Sequence, residues 1–471
     1  MKLPQAFIQQ MQTQLGDEFD SFLDALVKEI PTSIRLNPHK ETTPLSKLQD
    51  VAWCKQGKYL TERPIFTLDP AFHAGAYYVQ EASSMFVAEA IRQTIQSDTP
   101  LKVLDLCAAP GGKSTLLSSY LPESSLLVSN EVIKSRYQIL KENMLKWGYP
   151  HIALTNHDPA DFSGLISFFD VVLIDAPCSG EGMFRKDENA VKEWSPQLVK
   201  LCSARQQRIL KDALKLLKKD GILLYSTCTY NDAENIDNLD WVLNNYDLQA
   251  IPMTLPKEWK VDEQSGKKAI GYQFYPHKIK GEGFFIGVLK KINNPTSLNK
   301  PSKKRKIVFK QLQTLSKKQI NIITPWIKNP STYSLFQTPN EQIVALSNQH
   351  LADYWQLDQH LRRKKFGVSI GQLKKDIFIP SHELALSHLL NPSIPSLDVD
   401  KQQALSFLKK EPLDLQISLK GWIVIKYKGL SLGWIKAVPG RINNYLPKEL
   451  RIRMDISKER DKNKLRFSSE Y

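Results

Sequence analysis

The chain has 471 residues, of which 42% are hydrophobic, so it is too long for one typical domain and too apolar for a mostly disordered protein. Its net charge of +15, from 64 basic and 49 acidic residues, favours a polyanionic partner, because neutralised phosphates release counterions. The beginning of the chain lacks the apolar stretch of an export signal, and no run approaches the roughly 20 apolar residues of a membrane span. Five widely spaced cysteines without a CxxC pair argue against disulfides and zinc. We expect a cytoplasmic protein, monomeric by default, with free thiols and no metal or membrane contact.

The first segment, residues 1–98, mixes helical and extended patterns. Apolar residues recur at helical spacing from Ala6 to Ile30. Short strand-like pieces follow and are interrupted by prolines, among them Pro31 and Pro64. The sequence therefore predicts an irregular α+β region in front of the main domain.

Residues 99–291 alternate between apolar strands and helices. The predicted strands are Val103–Cys107, Leu126–Asn130, Ile152–Asn156, Val171–Asp175 and Ile222–Ser226. Strands this apolar are typical of a parallel sheet that is covered on both faces. A helix is predicted over Gln197–Leu217, and Tyr272–Tyr275 with Phe284–Leu289 reads as a closing hairpin. The pattern predicts a doubly wound, Rossmann-like α/β domain.

The composition changes after this domain. From Gly283 to Asn340 the chain has eleven basic residues and no acidic one. Residues 292–306 read as a basic linker, either a solvated tether or a strap that contacts phosphates. We predict a small domain at 307–395, a second at 396–455 and a charged tail at 456–471. Strand signals in the second small domain are Gln416–Leu419, Trp422–Tyr427 and Gly433–Lys436.

A candidate cofactor site lies in the stretch from Val103 to Thr115. There an apolar strand passes through a Gly-Gly turn into a helix that begins near Lys113, which lets a ligand approach the backbone and a helix N-terminus. Three acids, Glu131, Asp158 and Asp175, follow or end later strands. Carboxyl ends of parallel strands meet at one crevice, so the sequence predicts a site for a nucleoside-containing cofactor. Glu131 and Asp158 taken singly are equally explained as helix caps.

Two cysteines, Cys178 and Cys228, follow the ends of consecutive predicted strands. Cys107 and Cys202 fit the role of small buried hydrophobes, whereas two thiols that face one nucleoside-type crevice indicate nucleophilic chemistry. Methylation of cytosine carbon 5 needs an attacking thiolate, an acid beside it and a second group for release. Cys228, Asp175 and Cys178 match this set, and the charge of Lys113 favours a thiolate.

The motifs that carry these residues resemble those of the Nol–Nop–Sun family of RNA cytosine-5 methyltransferases. They are Cys-Ala-Ala-Pro-Gly-Gly-Lys at 107–113, Asp-Ala-Pro-Cys-Ser-Gly-Glu-Gly at 175–182 and Ser-Thr-Cys-Thr-Tyr at 226–230. The resemblance implies Cys228 as the nucleophile and Cys178 as the thiol that assists release, with Asp175 and Lys113 beside them. It also implies that S-adenosylmethionine is bound by Cys107, Ala108, Ala109, Pro110, Gly111, Gly112, Lys113, Glu131, Asp158 and Asp175.

The resemblance extends to both ends of the chain. Arg35-Leu-Asn37, the segment 75–84 and the segment 276–285 are similar to elements of the same family, and residues 421–448 resemble the PUA-like RNA-binding region of its RsmF-type bacterial 16S ribosomal RNA enzymes. This implies RNA as the partner, with the small ribosomal subunit as the expected source. Two alternatives stay open at this point: the same reaction on transfer RNA, and a non-catalytic RNA-binding assembly factor.

Overall fold

The structure, a computed structural model, describes residues 3–40, 48–95, 98–293, 307–415 and 417–454. It contains four sheets, which belong to an N-terminal domain, a central domain and two small C-terminal domains. The predicted linker, apart from Ile292 and Asn293, and the predicted tail lie outside the described residues. Within the described ranges, no helix combines the length and the apolarity that a membrane span requires.

The N-terminal domain packs helices against a four-stranded sheet. Its elements are α1 Gln5–Leu15, α2 Phe19–Val27, β1 Thr32–Leu36, β2 Asp50–Val51, β3 Cys54–Leu60, α3 Pro70–His73, β4 Tyr77–Val79 and α4 Val87–Thr94. The strand order is β2-β3-β1-β4. The helical pattern predicted from Ala6 to Ile30 is divided into two helices, because Gly16 adopts a φ of 51° that helical residues do not have.

The central domain confirms the predicted α/β architecture. Its strands are β5 Lys102–Asp105, β6 Leu126–Asn130, β7 Ile152–Thr155, β8 Phe169–Asp175, β9 Leu217–Thr227, β10 Leu248–Ala250, β11 Asp262–Ser265, β12 Ile270–Phe274 and β13 Phe284–Lys291. Its helices are α5 Gly112–Tyr120, α6 Lys134–Trp147, α7 Glu188–Glu193, α8 Pro196–Leu216 and α9 Ile236–Asn245. β5 to β9 form the parallel part in the order β9-β8-β5-β6-β7, and β12 and β13 are the predicted hairpin.

Both faces of this sheet are covered, which explains the apolar strands. One face packs against α4, α5 and α6 through residues such as Ile91, Leu117 and Met144. The other face packs against α8 and α9, with Leu210 and Val242 in the core. With helices on both sides, every residue of β6 is buried, as a parallel sheet of this type requires.

The first small C-terminal domain extends the central sheet. Its elements are β14 Gln313–Thr314, α10 Lys317–Ile323, β15 Tyr333–Gln337, β16 Ile343–Ser347, α11 Leu351–His360, β17 Lys364–Phe366, β18 Val368–Lys374, β19 Ile377–Pro380 and α12 His382–Leu386. β17 pairs antiparallel with β7. The sheet of the central domain therefore continues past the boundary predicted at residue 291.

The last domain shares its core with the N-terminal domain. Its elements are β20 Ser396–Asp398, α13 Lys401–Lys409, β21 Gly421–Tyr427, β22 Leu430–Val438 and β23 Arg441–Asn444. Ile34 and Leu68 of the N-terminal domain lie in one apolar cluster with Phe407 and Ile423. The two ends of the chain thus fold against each other beside the central domain.

The strand predicted at Gln416–Leu419 is wrong for the residues that the structure describes. Residues 417–420 belong to no strand, Leu419 is 43% exposed, and Gln416 lies outside the described residues. Both edges of β21 are already occupied by β20 and β22, so no position remains beside it. The partner that the sequence did not indicate is β20, which runs parallel to β21.

A buried arginine joins the N-terminal domain to the central one. Arg35 is fully buried in β1 and donates from Nε to Gln80 and from one terminal nitrogen to the Thr115 hydroxyl, at 2.8 and 2.6 Å. Its guanidinium also lies 4.5 Å from the ring centre of Trp147. Burial lowers the pKa of Arg35 to about 10, and the group stays charged at neutral pH. Through Thr115 it fixes the first turn of α5.

Replacement of Gly75 by alanine tests how tightly the two domains are packed. Gly75 has a φ of 71°, and an added Cβ would collide with the backbone carbonyl oxygen of Lys146 in α6. We expect Gly75→Ala to lower the free energy of unfolding by ~3 kcal/mol, because steric overlap adds to backbone strain. The measurement is thermal and urea unfolding.

Gly440→Ala is the matched control. Gly440 has a similar φ of 77°, but an added Cβ would meet no atom within 4 Å. This variant should lose only the strain contribution, about 1–2 kcal/mol. Equal losses in the two variants would contradict the tight contact between Gly75 and α6.

Candidate active site

A cavity of about 290 Å³ opens at the carboxyl ends of β5, β8 and β9. Its floor consists of the loop that follows β5 together with Asp175 and Cys228. The residues of its other walls, contributed by the N-terminal domain and by the β12–β13 hairpin, include Tyr78, Gln80, Glu282 and Phe284. The predicted crevice therefore exists, and two parts of the chain that the sequence did not assign to it complete its walls.

A lysine and a carboxylate pair at the centre of the floor. Lys113 Nζ lies 2.8 Å from Asp175 Oδ2, and the Ser226 hydroxyl donates to Asp175 Oδ1 at 3.0 Å. Burial alone would lower the pKa of Lys113, but the adjacent Asp175 carboxylate and the nearby Cys228 raise it above its ordinary value. The ammonium therefore stays charged and provides a positive group at the base of the cavity.

The two candidate cysteines lie in direct contact. Cys178 Sγ and Cys228 Sγ are 3.2 Å apart, within hydrogen-bonding distance for sulfur. Cys228 lines the cavity, whereas Cys178 lies behind it and is not among the residues of the cavity wall. The hydrogen bond to Cys228 and burial raise the pKa of Cys178 well above its ordinary value. At neutral pH, Cys178 is thus the thiol that keeps its proton.

Hydrogen bonds between their two loops hold the sulfurs in place. The Gly182 N–H donates to the Cys228 carbonyl at 2.9 Å. Glu181 accepts from the Tyr230 N–H at 2.9 Å and from the indole N–H of Trp194 at 3.0 Å. Gly182 has to be glycine here, because an added Cβ would lie 2.8 Å from the Cys228 carbonyl oxygen. The loops after β8 and β9 are therefore one rigid unit.

A second buried acid, Glu234, supports the Cys178 loop. Its carboxylate accepts from the Ser179 N–H and from the Gln206 amide, both at 2.9 Å. Burial raises the pKa of Glu234 to about 7. Neither Glu234 nor Glu181 was among the predicted site residues. Glu181 lies inside the Ser-Gly-Glu-Gly motif, which could have indicated it, but only the fold brings Glu234 next to Cys178.

The loop after β5 has the shape expected of a cofactor-binding turn. Gly111 adopts a φ of 114° and precedes α5, a helix of nine residues. Asp105, fully buried at the end of β5, accepts from the Ser114 hydroxyl through Oδ2, while Oδ1 has no partner within the protein. Burial raises the pKa of Asp105 to about 7. A left-handed glycine, a helix N-terminus and an unpartnered carboxylate oxygen fit the amino-acid end of S-adenosylmethionine.

Glu131 lies beside this loop at the end of β6. It is 3% exposed, and its Oε1 accepts from the Ile133 N–H at 2.8 Å. Arg136 links it to the loop, since one guanidinium nitrogen is 3.7 Å from Glu131 Oε2 and another donates to the Ala109 carbonyl at 2.7 Å. A carboxylate next to the Gly-Gly turn has the chemistry that ribose hydroxyls require.

Asp158 lies at the same edge of the sheet but outside the wall of the cavity. One of its oxygens accepts from the Ala160 N–H at 3.1 Å and caps a short 3₁₀ helix at Pro159–Gly164. The other oxygen is 3.5 Å from Arg208 of α8. The capping alternative therefore describes the geometry of Asp158, and its contact with the cofactor stays a prediction.

The fold brings most of the predicted site residues together. Cys107, Ala108, Ala109, Pro110, Gly112, Lys113, Asp175 and Cys228 line the cavity. Cys178 touches Cys228 from behind, and Gly111 lies at the turn. The donor set as a whole fits S-adenosylmethionine, with acids for its hydroxyl groups and a helix N-terminus for its carboxylate.

Three family descriptions match consecutive parts of the chain. "16S rRNA methyltransferase RsmB/F" matches residues 93–290, "N-terminal domain of 16S rRNA methyltransferase RsmF" matches residues 3–82, and "Methyltransferase RsmF PUA domain" matches residues 394–452. These matches confirm the PUA-like character predicted for the last domain. They also agree with the N-terminal and central domains of the structure.

Curated relatives match over nearly the whole chain. The ribosomal RNA small subunit methyltransferase F of Aliivibrio fischeri (strain MJ11) is 30% identical, and the match covers 95% of this chain and 97% of that protein. The enzyme of the same name from Vibrio vulnificus (strain YJ016) is 29% identical with the same coverage. The similarity therefore includes the catalytic domain and both terminal regions.

Solved structures support the same assignment. A methyltransferase homolog protein from Pyrococcus horikoshii is 27% identical, with a TM-score of 0.53 over 61% of this chain and 95% of that one. NSun6 from the same organism is 19% identical and shares the fold, with a TM-score of 0.52 over 62% of this chain and 99% of that one. With its three matching domains and relatives of nearly equal length, the chain belongs to the RsmF family of S-adenosylmethionine-dependent methyltransferases.

Proposed function

We propose that this protein methylates carbon 5 of a cytosine in the 16S ribosomal RNA of the small subunit, through a covalent bond between Cys228 and carbon 6. The names of its relatives support ribosomal RNA as the substrate. The observation that carries the chemistry is the contact of two thiols beside a lysine–carboxylate pair, with Cys228 alone of the two sulfurs on the cavity wall. Two adjacent thiols are needed when one forms a covalent intermediate and the other helps to resolve it.

Cys228 acts as the nucleophile because carbon 5 of cytosine is too weak a nucleophile to be methylated directly. Addition of the Cys228 thiolate to carbon 6 moves electron density through the ring to carbon 5 and N3. S-adenosylmethionine, when bound, supplies an electrophilic methyl group. The attacking sulfur is the one that faces the cavity, and Lys113, which stays protonated, holds its positive charge on the same cavity wall.

The Lys113–Asp175 pair stabilises the ring during this addition. Negative charge develops on N3 when the thiolate adds, and a proton held between Lys113 Nζ and Asp175 Oδ2 can be shared with that nitrogen. Because the pair is enclosed and already aligned, its electrostatic effect needs no reorganisation. Ser226, which donates to the other oxygen of Asp175, keeps the carboxylate in place.

Cys178 is suited to the release step. The high pKa of Cys178 has its largest cause in the hydrogen bond to Cys228. Once the Cys228 sulfur is bonded to carbon 6 it carries no charge, and Cys178 can ionise more readily. The Cys178 thiolate can then accept the proton from carbon 5, and the electrons of that C–H bond restore the ring double bond and expel the Cys228 thiolate.

The rest of the chain suits an RNA substrate. The target base has to leave its stack to reach Cys228 at the bottom of a cavity. A PUA-like domain packed on the N-terminal domain, together with a net charge of +15, provides surfaces for the surrounding RNA. As part of this proposal the enzyme acts as a monomer in the cytoplasm, where its five free thiols stay reduced.

The first prediction concerns trapping of the intermediate. Cys178→Ala should accumulate RNA that is covalently attached to Cys228, because addition proceeds while release is blocked. Cys228→Ala should lower methyl transfer by about 10³-fold or more and form no adduct. The measurement is denaturing electrophoresis of protein isolated from cells, followed by sequencing of the attached RNA.

The matched control is Cys202→Ala, since Cys202 is a buried thiol of α8 away from the cavity wall. It should retain methyl transfer and accumulate no adduct. An adduct that persists in the Cys178→Ala, Cys228→Ala double variant would contradict Cys228 as the attacking thiol. Normal turnover by Cys178→Ala would contradict the release role of Cys178.

The second prediction concerns the pH dependence of Cys178. Its pKa is raised first by the hydrogen bond to Cys228 and then by burial, so Cys228→Ala should lower the pH at which Cys178 ionises. The measurement is the rate of iodoacetamide modification at Cys178, followed by mass spectrometry from pH 6 to pH 10.

Cys202 is the internal control for this titration. Burial raises the pKa of Cys202 to about 11, a cause that does not involve Cys228, so its modification rate at each pH from 6 to 10 should be the same in both proteins. An unchanged midpoint for Cys178 in the Cys228→Ala variant would show that the two sulfurs do not interact as described.

The third prediction concerns the substrate. The purified enzyme with labelled S-adenosylmethionine should transfer its label to 16S ribosomal RNA from small subunits that lack the modification, and not to transfer RNA. Nuclease digestion and mass spectrometry should place the label in 5-methylcytidine. Label in transfer RNA alone would favour the alternative substrate, and label in another nucleoside would contradict the proposed reaction.

A further inference from the structure

A second cavity, of about 270 Å³, lies next to the first one between the N-terminal domain and α6. Its walls include Arg63, Phe66, Phe72, Tyr78 and Lys146. Tyr78 and Val79 line both cavities, so β4 forms a shared wall between them. A nucleotide chain whose target base enters the first cavity therefore has the second one directly beside it.

The shared wall is tied to the cofactor loop. Asn143 of α6, which lines the second cavity, donates to the Pro110 carbonyl at 2.8 Å and contacts the Tyr78 hydroxyl at 3.5 Å. Pro110 itself lines the first cavity. The two cavities thus share a rigid partition, and the position of one relative to the other is fixed by hydrogen bonds.

The second cavity is lined by aromatic rings and by two cationic side chains. The Arg63 guanidinium lies 5.5 Å from the ring centre of Phe66, and Lys146 Nζ lies 5.0 Å from that of Phe72. Both phenylalanine rings are only partly buried, and Arg63 is exposed. Aromatic faces beside positive groups are the combination that binds an unpaired nucleobase together with its phosphate.

Packing within the protein explains the positions of some aromatic residues at this cavity but not of all of them. Tyr77 is buried, and its hydroxyl donates to Asp69. Trp147 is also buried, and its indole N–H donates to the Ser119 hydroxyl oxygen. Phe66 and Phe72 instead leave part of each ring open to the cavity. Arg63 and Lys146 lie over these two rings at cation–π distances, an arrangement of charge that apolar packing does not require.

We propose that this second cavity binds the nucleobase next to the target cytosine, with Phe66 and Phe72 contacting the base and Arg63 contacting a phosphate. The inference rests on the proposed function and adds a specificity-determining site to it. When the target base leaves its stack, its neighbour loses a stacking partner. The aromatic cavity replaces that partner and holds the strand in register with Cys228.

The test uses the full-length enzyme and a double variant, Phe66→Leu with Phe72→Leu, which keeps apolar volume but removes both aromatic faces. Its probe is a short single-stranded RNA that contains the target cytosine in unmethylated form, with 2-aminopurine on the 5′ side of it in one molecule and on the 3′ side in another. We expect the KM for this RNA to rise about tenfold, the cost of losing base–aromatic stacking, with little change in kcat. Quenching of 2-aminopurine at one flanking position should be lost in the variant.

Two further variants distinguish a loss of RNA binding from a general effect on folding. Phe336→Leu, at a partly buried phenylalanine of β15 outside this cavity, is the matched control and should leave the KM unchanged. Arg63→Gln changes an exposed side chain and should reduce the slope of log K against log salt concentration by about one. Binding of S-adenosylmethionine, measured by calorimetry, should be the same in all variants.

The possible results separate this inference from the proposed function. Wild-type methyl transfer with an unchanged KM, quenching and salt slope in the cavity variants would overturn the inference alone. A wild-type enzyme that transfers no methyl group to any RNA would overturn the proposed function and this inference with it. A raised KM with unchanged cofactor binding would support the second cavity as a base-binding site.

Discussion

The contact between the Cys178 and Cys228 sulfurs constrains the rest of the catalytic domain. The two residues follow neighbouring parallel strands, β8 and β9, and lie 3.2 Å apart. Such a distance requires the strands to end in register, and Asp175 is indeed paired with Ser226 at the last step of the ladder. The loops that carry the sulfurs are then joined by the Gly182–Cys228 and Glu181–Tyr230 hydrogen bonds. The positions of the two sulfurs are thus set by the register of the sheet and by these hydrogen bonds, and they do not depend on mobile loops.

The same register explains which of the two thiols lines the cavity. Cys228 comes one residue after the end of β9 and lines the cavity, while Cys178 comes three residues after the end of β8 and is not among the residues of the cavity wall. Lys113, at the start of α5, lies on the side of Cys228. Cys228 therefore has the lysine and the open cavity beside it, whereas Cys178 has its hydrogen bond to Cys228. Two chemically equal side chains therefore acquire different properties from their positions alone.

Local motifs predicted which of the candidate side chains lie close together, whereas contacts between distant parts of the chain were not predicted. The parallel strands and the positions of Cys178, Cys228, Lys113 and Asp175 follow from the sequence, because the carboxyl ends of parallel strands meet at one edge of the sheet. Asp158 shows the limit of that argument, since the same edge also offers helix N-termini to cap. The pairing of β17 with β7 and the entry of β20 into the last sheet were not predicted. Strands of three residues have no periodicity to detect, and β7 lies far from β17 in the chain.

The packing of the chain ends has a consequence for recognition. The N-terminal and PUA-like domains share one apolar cluster, in which Tyr77 of β4 lies with Phe407 of α13. Tyr78, the next residue, is the wall between the two cavities. The PUA-like domain therefore packs against the same strand that separates the two cavities. Arg35 lies in β1, the strand that pairs with β4, and donates to the Thr115 hydroxyl of α5. It therefore connects this sheet to the helix that follows the Gly-Gly turn. Under the proposed function, the surfaces that bind RNA and the groups that react with it are held in one packed assembly, so that the choice of cytosine depends on which base the two cavities admit.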